Sequence, residues 1–198
     1  MYRISETGYG ELREKGSKFF AYAIPVLTPQ EIEESVQLIR KKYHDARHHC
    51  YAWRIGQRGD QTLANDDGEP SHSAGDPILA AIRSAGLTDV LVVVVRYFGG
   101  VKLGVRGLIE AYRGAAQDAI ESLVKEVIIP RRYFRVEFGY EETSLINKIM
   151  HPFEVQQEDA MYNERCAITY SIRVSDYQRV EKAFRDCGRS LIYLREAY

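Results

Sequence analysis

The chain has 198 residues, a formal net charge of −1, 45% hydrophobic and 28% charged residues, the balance of an ordinary globular protein with room for one large core or two small ones. Residues 1–128 carry 16 Lys and Arg against 17 Asp and Glu, so a polyanion-coating protein is excluded and any polyanion site is a local patch. Cys50, Cys166 and Cys187 form no Cys-x-x-Cys pair and the N-terminus has no apolar signal core, which argues against a disulfide framework, a zinc ribbon or a membrane helix and for a cytoplasmic protein.

Lys18–Val26 reads as a strand after the Lys15-Gly16-Ser17 turn. A helix follows, with Thr28 as N-cap, Pro29 in its first turn, Glu31 completing a capping box, and Ile32, Val36, Ile39 and Tyr43 as its apolar stripe. His48–Ile55 is a second strand, with His49, Tyr51, Trp53 and Ile55 on one side. Gly56–Asp76 is polar and turn-rich and reads as a long loop, the kind that is functional or mobile. Asp76 and Pro77 start a short helix that Gly86 stops. Val90-Leu91-Val92-Val93-Val94-Val95 is an unbroken apolar run, which predicts a central strand covered on both faces.

That strand feeds the Gly99-Gly100 turn and a helix from about Leu103 to Val124, buried along Leu108, Tyr112, Ala115, Ala119 and Leu123. Gly107 and Gly114 weaken that helix by roughly 1 kcal/mol each relative to Ala, a cost that close backbone approach or tight packing explains. Pro130-Arg131-Arg132 marks a domain boundary, giving 1–129 and 130–198. Beyond it the order strand, helix, strand, strand, helix, strand predicts a split-βαβ, ferredoxin-like sheet. With 14 Tyr against 7 Phe and 1 Trp, the aromatic content supplies either contact surface or half-buried packing.

The strand, glycine turn and helix of residues 90–124 form the first candidate site. Backbone N–H groups at Gly99 and Gly100 suit an anion, with Arg96, Lys102 and Arg106 as phosphate contacts and Tyr97 stacking or packing. Arg47, His48 and His49 are secondary contacts. No Walker-A loop fits, because Val105-Arg106 stand where Lys and Ser/Thr belong, so nucleotide hydrolysis is disfavoured. His44 and His48 are four apart but beyond the helix end, and no metal site is expected. A second candidate is the acidic loop, where Asp66, Asp67, Glu69 and His72 serve as acid and base or simply cap and solvate the turn.

Asp45-Ala46-Arg47-His48-His49-Cys50-Tyr51-Ala52-Trp53, Asp66-Asp67-Gly68-Glu69-Pro70-Ser71 and Arg96-Tyr97-Phe98-Gly99-Gly100-Val101-Lys102-Leu103-Gly104 together resemble the IMPACT/YigZ family, and the Gly75–Gly104 segment agrees with that family's signature. The chain is similar to the short bacterial YigZ form, without the RWD domain of eukaryotic relatives. The resemblance implies an α+β fold. Its N-terminal domain is of the left-handed βαβ kind shared with a ribosomal protein and domain IV of elongation factor G. Its C-terminal ferredoxin-like domain resembles the last domain of that factor.

It also implies a translation-associated role, since eukaryotic relatives bind the general-control activator on ribosomes. The expectation is a non-enzymatic protein without cofactor or metal that binds the ribosome, RNA or a translation-regulatory protein, and neither DNA nor membrane. A hydrolase or phosphotransferase using the acidic loop, and a protein-binding adaptor, are the alternatives. Two positions depart from the family pattern: His72 stands where many members have Gly, and Arg106 where a small residue is usual.

Overall fold

The computed structural model describes residues 1–56 and 59–197; Gln57 and Arg58, in the expected Gly56–Asp76 loop, lie outside them. The fold is mixed α/β, and the chain divides into two compact units, Met1–Ile128 and Ile129–Tyr198.

In the first unit β1 (Tyr2–Arg3), β2 (Gly8–Glu14) and β3 (Ser17–Pro25) precede α1 (Pro29–Lys42). Then come β4 (His48–Ile55), β5 (Gln61–Asn65), α2 (Gly75–Ser84), β6 (Val90–Tyr97), α3 (Gly104–Glu121) and β7 (Glu126–Val127). Five of the described strands form one sheet, ordered β2-β3-β6-β4-β5, with every neighbour antiparallel. The apolar run of β6 lies at its centre for a simple reason. Val90, Val92 and Val94 face α2 and α3, whereas Leu91, Val93 and Val95 face α1, so strict alternation places apolar side chains in both cores. β1 and β7 pair separately.

Thr28 caps α1 by accepting from the Glu31 N–H at 3.2 Å. The Glu31 carboxylate accepts from Leu27 N–H at 2.6 Å, one residue before the position of a capping box. β5 was expected as loop. Gln61-Thr62-Leu63-Ala64-Asn65 lacks an apolar alternation and becomes a strand by pairing with β4. β2 carried no sequence signal of its own either, because two of its inward positions are glycines. An added Cβ at Gly8 would lie 2.2 Å from Ala119 O, and one at Gly10 2.5 Å from Ala119 N. The close backbone approach therefore occurs at β2 against Ala115 and Ala119 of α3. Gly114 meets only a Leu12 side chain, and Gly107 only Leu103 of its own turn.

The second unit runs β8 (Arg131–Phe138), α4 (Thr143–Met150), β9 (Gln156–Tyr162), β10 (Cys166–Arg173), α5 (Val174–Asp186) and β11 (Ile192–Ala197). Its antiparallel sheet is ordered β11-β8-β10-β9, the split-βαβ arrangement. Phe134, Val136, Phe138, Ile168 and Ile172 pack beneath Ile146, Ile149, Val180 and Phe184. No helix among the described residues is long and apolar enough to cross a membrane.

Gly10→Ala tests the contact of β2 with α3. Overpacking at this distance is expected to cost about 1–3 kcal/mol, read as a lowered urea midpoint with unchanged slope.

Candidate functional site

The three signature segments meet at one end of the first sheet, where β6 ends beside the starts of β3 and β4. The register sets Arg96 opposite both Phe19 and His48. Arg96 is buried, and its Nη1 donates to Glu69 Oε1 at 2.6 Å, with side-chain exposures of 7% and 5%. Such a pair survives in a dry interior only where further hydrogen bonds complete it. Tyr112 Oη of α3 donates to the same Glu69 oxygen at 2.8 Å, and Arg96 Nη2 reaches Ser17 Oγ at 3.4 Å. Phe19 and Phe98 lie either side of the guanidinium at 5.6 Å. Cys50 Sγ stands 3.3 Å from Tyr112 Oη and 3.0 Å from the Asp66 carbonyl oxygen. Burial raises the Cys50 thiol and Tyr112 phenol well above their ordinary values, so both remain protonated near neutral pH.

The four residues of the acidic loop, Asp66, Asp67, Glu69 and His72, are held by different partners rather than gathered into one cleft. Asp66 Oδ1 accepts from the Ala74 and Gly75 N–H groups at 2.9 and 2.8 Å, and Oδ2 from the His72 N–H at 2.8 Å. Thus Asp66, not Asp76, caps α2, whose own N-cap residue Ala74 has no capping side chain. Burial pushes the Asp66 carboxyl up, but donation from Gly75, His72 and Ala74 outweighs it and holds the pKa below its ordinary value.

Asp67 pairs with Arg40 at 2.6 Å and accepts from the His49 N–H at 2.6 Å. Glu69 belongs to the buried network. His72 is exposed and bonds Asp76 at 2.7 Å. Its φ of 65° lies in the left-handed region that favours glycine, which suits the glycine expected at this position and makes His72 a strained replacement. Among the described residues no group of three or more His, Cys, Asp and Glu is placed to hold a metal.

The basic candidates separate into buried and exposed sets. Burial lowers the His49 pKa, and its Nε2 donates to the Tyr43 carbonyl at 3.0 Å. His48 Nδ1 donates to the Asp67 carbonyl at 3.0 Å. Tyr97 is half-buried and donates to Asp45 at 2.5 Å; that bond, then burial, pushes its phenol up to about 12. Gly99 is not a free anion cradle. Its N–H donates to Ser17 Oγ at 3.2 Å, and a Cβ there would lie 1.9 Å from the Gly16 carbonyl carbon.

Beyond Gly99 the chain turns outward. Gly100 and Gly104 take φ of 86° and 72° with nothing packed against them. Phe98, Val101 and Val105 are each more than half exposed, beside exposed Arg47 and Lys102. Arg106 points outward to Glu110, 3.0 Å away, and does not crowd the turn. The surface left is mixed apolar and basic, and Arg96 lies against Phe98 beneath it, whereas His49 faces Tyr43 and Asp67. Tyr112 and Ser17 were not anticipated as members of this network. Tyr112 sat in an apolar helical stripe, and its hydroxyl was the one available signal.

A family model described as the Impact N-terminal domain matches residues 15–120. A Haemophilus influenzae protein described as an IMPACT family member is 32% identical over 186 residues, covering 92% of this chain and 90% of its own. The IMPACT family member YigZ of Escherichia coli is 37% identical over 117 residues, 58% of this chain and 57% of its own. A crystal structure described as that of a hypothetical protein shares the fold with a TM-score of 0.68 at 25% identity, covering 98% of this chain and 97% of that one.

Glu69→Gln leaves the Arg96 charge buried without its counter-ion and is expected to cost about 3–5 kcal/mol in denaturant unfolding. Glu69→Leu with Arg96→Met recovers most of that loss. Because the folded pKa of Asp66 is depressed, its contribution is present above the unfolded value of about 3.9 and disappears as pH falls through the folded value. The stability gap between wild type and Asp66→Asn should therefore narrow below about pH 4, as measured by urea midpoints across the acid range.

Proposed function

This chain belongs to the IMPACT family, and on that premise we propose that it is a non-enzymatic, translation-associated protein of the cytoplasm. Its first unit binds ribosomal RNA or a ribosome-bound regulatory factor. The translational part of the reading comes from the family resemblance, including the implied likeness to domain IV and the last domain of elongation factor G. The strand order β11-β8-β10-β9 supports the second half of that likeness. Fold-level analogy alone does not assign function, so the site must carry the rest.

The observation that carries it is the outward loop around Gly99, where exposed Phe98, Val101 and Val105 stand beside Arg47, Lys102 and Arg106. Exposed apolar groups grouped on a buried, ion-paired base mark an interaction surface. The first turn of α3 adds to its positive potential, having no side-chain cap and no acidic residue. Arg96 is a positioning residue beneath Phe98, and His49 fixes Asp67 and the end of α1. Asp66, Asp67 and Glu69 shape the loop beside it, which leaves them no common reacting centre.

Co-sedimentation of the full chain with ribosomes, measured against salt, tests the proposal. Binding is expected at low salt. The Arg47→Ala/Lys102→Ala/Arg106→Ala variant should bind more weakly, with a log–log salt slope shallower by about 2–3. Absence of binding at low salt, or indifference to the triple change, overturns it. Parallel capture with and without RNase separates an RNA target from a protein one.

A further inference from the structure

α1 packs against β4 and β6 and leaves the outer part of the same sheet face, along β2 and β3, half-exposed. The antiparallel register arranges that strip in rows, with Tyr9 opposite Tyr22, Glu11 opposite Phe20, and Arg13 opposite Lys18. Lys18 in turn lies opposite Tyr97. The rings touch in series. Tyr9 lies 5.3 Å from Tyr22, Tyr22 6.0 Å from Tyr43, Tyr43 5.7 Å from Phe20 at an interplanar angle of 14°, and Phe20 6.0 Å from Tyr97. Tyr9, at the outer end, is 46% exposed.

The charges on this strip do not cancel. Glu11 is occupied, accepting from Tyr9 Oη at 3.3 Å and Arg13 Nε at 2.9 Å, and Asp45 is occupied by Tyr97. Lys42 Nζ donates to Tyr22 Oη at 2.9 Å and sits 4.7 Å from that ring's centroid. Lys42 thus pairs with no carboxylate, and among the described residues neither do exposed Lys15, Lys18 and Arg47. Against these four cations stand two carboxylates that pair with no cation among the described residues, Glu14 and Asp45, the latter hydrogen-bonded only by the neutral Tyr97 phenol, so the balance stays positive. An extended peptide adding to the sheet would need the outer edge of β2. There the Glu11 N–H is already taken by Asp118 Oδ2 at 2.9 Å, a covered edge of the kind that resists strand addition.

Rings in series beside uncompensated cations are the chemistry that holds single-stranded nucleic acid, bases on aromatic faces and phosphates on Lys and Arg. We infer that this strip is a binding track for single-stranded RNA, with Tyr9 as the exposed stacking ring and Lys18 and Lys42 toward the phosphates. The inference rests on the translational reading above and moves the nucleic-acid contact from the sheet end onto the sheet face.

Fluorescence anisotropy of a short labelled oligouridine with the full chain tests it. Wild type is expected to bind at low salt, with a duplex of equal length competing poorly. Tyr9→Ala, at an exposed edge position, should weaken binding roughly 5- to 100-fold, and Tyr9→Phe should retain it. Lys18→Ala/Lys42→Ala should flatten the log–log salt slope by about 1.4. No oligouridine binding at low salt, binding indifferent to Tyr9→Ala, or equal competition by the duplex overturns the inference. If oligouridine binding ignores Tyr9→Ala while ribosome co-sedimentation fails in the sheet-end variant, this inference falls and the proposed function stands. Tyr9-dependent oligouridine binding by a chain that never sediments with ribosomes does the reverse.

Discussion

The buried ion pair between Glu69 and Arg96 is the constraint on which the candidate site of the first unit depends. Each of these charges costs several kcal/mol to remove from water, and neither side chain is more than 7% exposed. Tyr112 and Ser17 hydrogen-bond the pair and the Phe19 and Phe98 rings lie against the guanidinium, while buried Arg96 Nε finds no partner among the described residues. One carboxylate from a loop, one guanidinium from a central strand and one phenol from a helix must therefore arrive together. That requirement ties three distant stretches of sequence into one base.

From this base the neighbouring surfaces follow. The loop carrying Glu69 is anchored at its front by Asp66, which caps α2, and at its side by Asp67, which holds Arg40 and the His49 backbone. With the loop fixed, β6 leaves the core at a defined point, and Gly99 packs on the Gly16–Ser17 turn. Only after that contact is the chain released into solvent, presenting Val101, Lys102 and Arg106. A short motif such as Arg96–Gly104 thus contains two kinds of residue. Its first half frames the base, and its second half is the surface that base supports.

The half-exposed aromatic strip shows the complementary effect of coverage. α1 is 14 residues long and lays its buried stripe of Ile32, Val36 and Ile39 toward the central strands. The outer strands β2 and β3 receive their helix, α3, on the opposite face, where Gly8 and Gly10 let it approach. One side of this outer pair is sealed by small residues and the other is left to Tyr9, Phe20 and Tyr22. Four of the 14 tyrosines, Tyr9, Tyr22, Tyr43 and Tyr97, join this strip, and Tyr112 serves as buried packing.

Much of the fold was legible in the residues themselves. Thr28 and Pro29 announced α1, the β-branched run announced β6 as a central strand, and the strand–helix order after Pro130 announced the split-βαβ sheet. These are local signals, written in periodicity and capping chemistry that act over a few residues. β2 and β5 were not legible, because glycine and polar residues become strands only when a partner strand and a packing helix are present. The candidate site divided in the same way. The motifs marked its place, and side-chain type alone could not separate Arg96, which is buried against Glu69, from Lys102, which is exposed. The family and the elements with local signals came from the sequence by itself. Which charges are framework and which are surface was decided by tertiary structure, since burial depends on what lies opposite in space.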